Sequence, residues 1–145
     1  MEVVKRDGRR VPVMFDKVTA RIQKLCYGFD PKEVNPAKIT KKVVAGIYDG
    51  VHVTAIDDLV AETAAFMSTE NPGYSRLAAR VAVSNLHKQT SKVFSDVVSQ
   101  LYEAQTNGRP SPLVSRELYD VVVANKEKLN AALLYNRDFE YDYFG

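Results

Sequence analysis

Residues 3–18 read VVKRDGRRVPVMFDKV, with a turn signal between two short apolar runs and the start of a helical pattern behind them. Asp7 and Gly8 are a favoured central pair for a two-residue type I′ turn, because Gly accepts a positive φ without cost and Asp tolerates one. This turn predicts a hairpin with its cations crowded at one tip. The predicted cross-strand pairs are Arg6 with Arg9, Lys5 with Arg10, Val4 with Val11, and Val3 with Pro12.

Like charges placed opposite each other destabilise an antiparallel pair of strands, so an anion bound at the tip would stabilise this hairpin. At ~4 Å and an effective dielectric of ~20, each cation contributes on the order of 4 kcal/mol of gross attraction to a unit negative charge. A phosphate chain is therefore a natural partner. The alternative is that the basic residues only protect an exposed strand edge from pairing with another chain.

The composition predicts one ordinary globular core. The chain has 145 residues, of which 46% are hydrophobic and 26% charged, a length that is marginal for two cores. A net charge of +2 is too small for nucleic-acid binding by the whole surface. Cys26 is the only cysteine, which excludes a disulfide framework and favours a reducing compartment. Without a membrane-span or secretory-signal pattern, we expect a soluble intracellular protein of the cytosol or nucleus, with the cytoplasm as the predicted location.

The pattern behind the hairpin predicts two helices in succession. Asp16 stands where it would cap the first helix, which would end at Gly28. Asn35 followed by Pro36 is typical of an N-cap with proline in the first helical position. The second helix would continue until the break at Asp49.

A short strand and two longer helices follow in the pattern. Residues 51–53 are β-prone, and Thr54 with Asp57 resembles a capping box for a third helix over about 55–68. A long fourth helix begins after Asn-Pro-Gly at 71–73, and its pattern allows it to extend past Phe94. These elements predict an α+β unit with a small sheet against helices.

The last third of the chain also has a helical pattern, but with shorter helices. Residues 107–112 predict a loop, and two short helices are expected after it. The end of the chain is strongly aromatic, from Tyr135 to Phe144. Because such an apolar end normally packs against something, we expect the chain to be a fragment of a longer protein.

Several of these stretches resemble one protein family. Residues 4–9 and 13–18 look like the opening of an ATP-cone domain. Residues 21–28 and 77–88 are similar to the large subunit of eukaryotic-type class I ribonucleotide reductase, and residues 133–145 resemble that subunit's entry into its catalytic barrel. The resemblance covers nearly the full chain.

The resemblance implies an architecture of two parts. Residues 1–92 would be an ATP-cone allosteric domain, mostly helical, with a three-stranded β cap over four helices. The cap would consist of the N-terminal hairpin and one further strand. Residues 93–145 would be the helical start of a truncated catalytic subunit.

The resemblance also implies that ATP binds to permit activity and dATP to suppress it, with Mg²⁺ alongside the nucleotide. Lys5 and Arg6 would lie near the phosphates, residues 11–17 would line the base and phosphate pocket, and Asp57 would contact the sugar. No catalytic residue or metal ligand is expected. The nucleotide-binding positions carried over are Lys5, Arg6, Val11, Pro12, Val13, Met14, Phe15, Asp16, Lys17, Val53, Asp57 and Lys88.

The same resemblance implies the partners of the intact enzyme. Large subunits would associate into homo-oligomers, and a separate small subunit would supply the radical. The family reduces ribonucleoside diphosphates to deoxyribonucleotides, but the catalytic cysteines lie outside these residues. Neither nucleic acid nor a membrane is an expected partner.

Plainer interpretations stand beside these roles. Asp16 and Asp57 could serve only as helix caps, and Lys88 lies in a polar run that is typical of a solvated face. His52 and His87 lack metal partners at suitable spacing. Cys26 fits an apolar core better than a reactive thiol.

Rival functions come from other classes. A nucleic-acid clamp would need aromatic stacking partners beside the cations, and Phe15 is the only aromatic residue nearby. An ATP-cone transcriptional regulator would need a zinc ribbon, which one cysteine cannot build. A purely structural oligomerisation domain is the remaining alternative.

Overall fold

The computed structural model describes all 145 residues, which form two compact units. The first unit comprises Met1–Leu86 and Asp138–Gly145, and the second comprises His87–Arg137. Helix α4 begins in the first unit and its last residues belong to the second. The elements from the N-terminus through α4 are β1 (Glu2–Val4), β2 (Arg10–Pro12), α1 (Phe15–Leu25), α2 (Pro36–Ala45), β3 (Val51–His52), α3 (Val53–Phe66), a 3-10 turn (Met67–Thr69) and α4 (Gly73–Gln89).

The three-stranded sheet of the first unit has the order β2-β1-β3. Strand β1 pairs antiparallel with β2 and parallel with β3, where Val3 lies opposite Val51. Both valines are buried, so the sheet closes one side of the core. The predicted α+β, mostly helical class with a small three-stranded cap is confirmed.

The predicted register of the N-terminal hairpin is wrong by one residue. Val3 pairs with Val11, and the Lys5 amide donates to the Arg9 carbonyl at 2.8 Å, which leaves a three-residue loop. Gly8 alone in that loop has a positive φ, of 83°. Cross-strand partners share a face, so this register places Val3 and Val11 together against the core. We refer to residues 2–12 as the basic hairpin.

One predicted helix start is confirmed, whereas the proposed first-turn carboxylate cap of α1 is wrong. The Asn35 side chain accepts hydrogen bonds from the amides of residues 37 and 38, with Pro36 in the first turn of α2. Asp16 does not cap α1, since the N-cap is Met14 and no side chain caps it. Asp16 instead lies inside the first turn, where its charge complements the helix dipole.

The predicted capping box of α3 is also wrong. His52 is the N-cap, and its Nδ1 accepts from the Thr54 amide at 3.3 Å. The Asp57 side chain therefore does not cap α3. Val53, predicted as part of a strand, is the first residue of α3.

The core of the first unit is built from four helices and the sheet. Cys26 is half-buried against this core, and burial raises the pKa of its thiol. Tyr143 of the C-terminal segment packs against the same core. The largest side chains that are fully buried are Ile22, Val34, Ile39, Val43, Met67, Leu77 and Val81.

The second unit contains short helices and a small hairpin. Helix α4 ends at Gln89 and does not extend past Phe94. Val93 has an extended backbone, and its amide donates a hydrogen bond to the Ser91 hydroxyl oxygen, so the helical pattern is interrupted before Phe94. The predicted loop 107–112 contains part of a tight hairpin. The elements of this unit after α4 are α5 (Phe94–Tyr102), β4 (Gln105–Thr106), β5 (Arg109–Pro110), α6 (Arg116–Ala124) and α7 (Lys126–Ala132).

The two short helices expected after that loop are confirmed as α6 and α7. Tyr102 of α5 stacks on Tyr119 of α6 with ring centres 4.2 Å apart. A second 3-10 turn, Tyr135–Glu140, leads into the C-terminal segment. No helix of the chain has the length and apolar character needed for a membrane span.

Candidate functional site

The Asp57 side chain lies where the basic hairpin meets three helices. Asp57 is 8% exposed on α3, and its Oδ2 accepts a hydrogen bond from Arg6 Nη2 at 2.6 Å. Its Oδ1 accepts from Nη1 of Arg21 on α1. A second nitrogen of Arg21 donates to Asn85 on α4. The Asp57 carboxylate, on α3, thus joins the hairpin tip to α1, and Arg21 extends the link to α4 through Asn85.

This cluster places two cations around one anion. Burial lowers the pKa of the Arg21 guanidinium, and the charge of Arg6 lowers it further. The arrangement therefore keeps an excess of positive charge beside a buried carboxylate. Arg6 is the more exposed of the two arginines, with 37% of its side chain accessible against 24% for Arg21.

The hairpin tip avoids the like-charge crowding expected from the sequence. Arg6 reaches Asp57, and Arg9 pairs with Asp7, whose Oδ2 lies 2.7 Å from Arg9 Nη2. Hydrogen bonds from the Arg9 amide and side chain hold the pKa of Asp7 below its ordinary value. The cations Lys5 and Arg10 remain exposed and form no salt bridge.

The predicted segment 11–17 runs from β2 into the first turn of α1. Val11, Val13 and Phe15 are half-buried and pack against the core, so their side chains have a structural role. The other positions of the segment are exposed. These exposed positions are Pro12, Met14, Asp16 and Lys17.

The remaining predicted site residues lie on α3 and α4. Val53 is the first residue of α3 and packs against the core one turn before Asp57. Lys88 lies in the last turn of α4, in the second compact unit. The structure thus brings Arg6 and Asp57 into contact and places Val53 and the segment 11–17 on elements that adjoin the hairpin.

Sequence reasoning missed Arg21 and Asn85 as members of the Asp57 cluster. A signal for both was present in the helical spacing. Arg21 follows Lys17 by four residues on α1, and Asn85 precedes Lys88 by three on α4. Residues three or four apart share a helix face, so each was a neighbour of a predicted site residue.

Comparison with protein families identifies the class of this domain. A family model described as ATP cone domain matches residues 1–89, the span that holds the basic hairpin, the sheet and helices α1 to α4. The chain therefore belongs to the ATP-cone family, a class of nucleotide-binding regulatory domain.

The whole chain is also similar to the N-terminal part of several reductase subunits. It is 54% identical over 147 aligned positions to the ribonucleoside-diphosphate reductase large subunit of Danio rerio, covering all of this chain and 18% of that protein. The large chain of Schizosaccharomyces pombe is 53% identical, with 100% and 18% covered, and the Vaccinia virus large subunit 50%, with 100% and 19% covered. The chain spans less than a fifth of the length of these relatives.

Proposed function

We propose that this chain is the activity-control region of a ribonucleoside-diphosphate reductase large subunit, in which ATP permits and dATP suppresses reduction. Residues 1–92 would bind the nucleotide beneath the basic hairpin. Residues 93–145 would be the helical start of the catalytic part. The proposal is supported by the ATP-cone match over residues 1–89 together with the Arg6–Asp57 contact.

The Arg6–Asp57 pair supports this proposal because each partner has an alternative in a nucleotide. A triphosphate competes with Asp57 for the guanidinium of Arg6, and charge-assisted bonds to phosphate are among the stronger hydrogen bonds. A sugar hydroxyl can donate to the carboxylate oxygen that Arg6 leaves. At ~4 Å and a dielectric of ~20, each further cation adds on the order of 4 kcal/mol of gross attraction to a phosphate charge.

The start of α1 supports a phosphate position in the segment 11–17. Met14 is the N-cap and offers no side-chain oxygen to the first amides of the helix. Uncapped amides and the positive end of the helix dipole attract anions. Lys17 is exposed in the same turn, so its ammonium group can add a direct charge contact.

Mg²⁺ would accompany the triphosphate as its counterion. This ion usually keeps several waters and binds phosphate oxygens with one or two carboxylates. Asp16 is the exposed carboxylate in the segment 11–17 and would complete such a shell. The ion would neutralise phosphate charge, while the basic hairpin and Lys17 would bind and orient the nucleotide.

In the intact enzyme, we propose that the bound nucleotide acts on subunit assembly. A nucleotide shifts such an equilibrium only through its different affinity for the two states. The partners would be further large subunits and the small radical-generating subunit, in the cytoplasm. The chain itself would regulate and not catalyse.

Isothermal titration calorimetry on the 145-residue chain tests this function. We expect saturable binding of ATP and dATP with Mg²⁺ present, in the micromolar range, which corresponds to about 8 kcal/mol. Lys5→Ala and Asp57→Asn should each weaken binding about tenfold or more. Lys41→Ala at an exposed position of α2 and Glu62→Gln at an exposed position of α3 are the matched controls, and both should bind like wild type.

A competing outcome would identify a different function. Binding of single-stranded DNA more tightly than ATP, with a steep dependence on salt, would favour the nucleic-acid clamp. A folded chain that binds neither adenine nucleotide would refute the proposal.

A further inference from the structure

Arg21 is fixed at both ends of its guanidinium by groups that are themselves held in place. Its Nη1 donates to Asp57 Oδ1, and its Nη2 donates to Asn85 Oδ1. The side-chain amide of Asn85 in turn donates to the backbone carbonyl oxygen of Asp57 at 2.9 Å. These three residues therefore form a closed circuit of hydrogen bonds between α1, α3 and α4, in which Asp57 and Asn85 are buried and Arg21 is partly exposed.

The two oxygens of the Asp57 carboxylate consequently differ in what they can do. Oδ1 is held by Arg21, which projects from a packed helix of 11 residues. Oδ2 is held by Arg6, which lies at the tip of a hairpin with strands of three residues each. Short hairpins are only marginally stable on their own and open more readily than packed helices. Oδ2 is therefore the oxygen that can exchange its partner.

A carboxylate that presents one oxygen discriminates better between sugars than one that is free to turn. Ribose offers two neighbouring hydroxyl donors, and 2-deoxyribose lacks one of them. An ionised carboxylate only accepts hydrogen bonds, and a mobile one would rotate toward whichever hydroxyl remained. Recognition groups must be held within about 0.5 Å by supporting residues to be selective.

We infer that Arg21, locked by Asn85, is a positioning residue that fixes Asp57 Oδ2 toward the basic hairpin and so sets the discrimination between ATP and dATP. The inference rests on the proposed nucleotide-binding function. Neither Arg21 nor Asn85 needs to touch the nucleotide. Their effect is transmitted through the orientation of a single carboxylate.

The test is the ratio of the dissociation constants for dATP and ATP, measured by calorimetry on the same sample of the 145-residue chain. Taking this ratio cancels any general loss of folded protein. Arg21→Lys keeps the charge but cannot bridge Asp57 and Asn85 in the planar manner of a guanidinium. Asn85→Ala keeps both arginines and removes the acceptor of Arg21 Nη2, together with the hydrogen bonds from Asn85 Nδ2 to the Asp57 backbone carbonyl and to Asp58 Oδ1. The matched control is Arg80→Lys, which alters another clamp between α4 and the region of α1.

We expect both variants of the circuit to move the ratio toward one, by about tenfold, the value of one hydrogen bond to a charged group. Arg80→Lys should leave the ratio within about twofold of wild type. Because Asn85 acts through Arg21, the double variant should shift the ratio no further than Arg21→Lys alone.

The possible failures are distinguishable. Absence of binding in wild type refutes the proposed function and the inference together. Normal binding with a wild-type ratio near one, or a ratio that neither variant moves, refutes the role of Arg21 alone. If Arg21→Lys does not fold, the Asn85→Ala ratio decides.

Discussion

The guanidinium of Arg80 lies over the ring of Tyr27, with Cζ 3.8 Å from the ring centre. The same carbon is 4.4 Å from the ring centre of Phe29, and Nη1 donates to the carbonyls of Leu25 and Tyr27 at 2.8 and 2.7 Å. A single side chain of α4 therefore holds the chain segment that follows α1. This clamp joins α4 to the chain that leaves α1 and shares no hydrogen-bond partner with Arg21.

Arg80→Met should lower the free energy of unfolding by about 2 kcal/mol, because it removes two charge-assisted hydrogen bonds and two cation–π contacts. Urea unfolding followed by circular dichroism measures the loss. Arg80→Lys should lose roughly half as much free energy of unfolding, since lysine keeps the positive charge but lacks the planar guanidinium. The control Arg76→Met, at an exposed position of α4, should remain within about 0.5 kcal/mol of wild type. A loss at Arg80 no larger than that of the control would contradict the clamp.

Gly8→Ala should destabilise the basic hairpin through its backbone alone. Gly8 has a φ of 83°, and a Cβ there would meet nothing within 4 Å. The cost is therefore conformational, about 1 kcal/mol. Gly8→Asn should cost about half of this, because Asn enters the left-handed region more readily. Thermal unfolding compares the two variants, and equal losses would argue against a backbone origin.

Gly73→Ala should destabilise the first unit by overpacking. A Cβ at Gly73 would lie 2.6 Å from Cγ2 of Val34, which is 1% exposed and has no room to move. We expect a loss of about 2 kcal/mol in urea unfolding. Gly46→Ala is the matched control, since its nearest neighbour is the flexible end of Leu59 at 3.2 Å. A control that loses as much as Gly73→Ala would show that local packing is not the cause.

Glu70 should make the stability of the chain depend on pH in the acid range. Hydrogen bonds from Lys38 and Lys42 hold the pKa of Glu70 below its ordinary value. A depressed pKa in the folded state gives stability that is present above the unfolded pKa, about 4.3, and is lost as the pH falls through the folded value. Wild type should therefore lose more stability than Glu70→Gln on going from about pH 5 to pH 3.

The control for Glu70 is Glu62→Gln, an exposed carboxylate on α3. Its pH profile should follow that of wild type. The salt bridges of Glu70 with Lys38 and Lys42 are exposed, so the difference in stability between wild type and Glu70→Gln should shrink in high salt. Parallel profiles for wild type and Glu70→Gln in low salt would disprove the assignment.

The features that the sequence predicted correctly depend on neighbours within a few residues. The start of α2 follows from Asn35 and Pro36, whose capping bonds reach only residues 37 and 38. The existence of the N-terminal hairpin follows from Gly8, which supplies the positive φ of the turn. The family resemblance likewise rested on short stretches, and the ATP-cone match over residues 1–89 confirms it.

The tertiary structure alone decided the register of the hairpin and the partners of Asp57. The register depends on which valines share the buried face, and Val51, which completes that face, lies 48 positions beyond Val3. Asp57 has the spacing of a helix cap, but His52 occupies that role and the carboxylate meets arginines 51 and 36 positions away. Such choices compare distant groups that come together only in the folded chain, whereas local sequence pattern reports the conformations of adjacent residues.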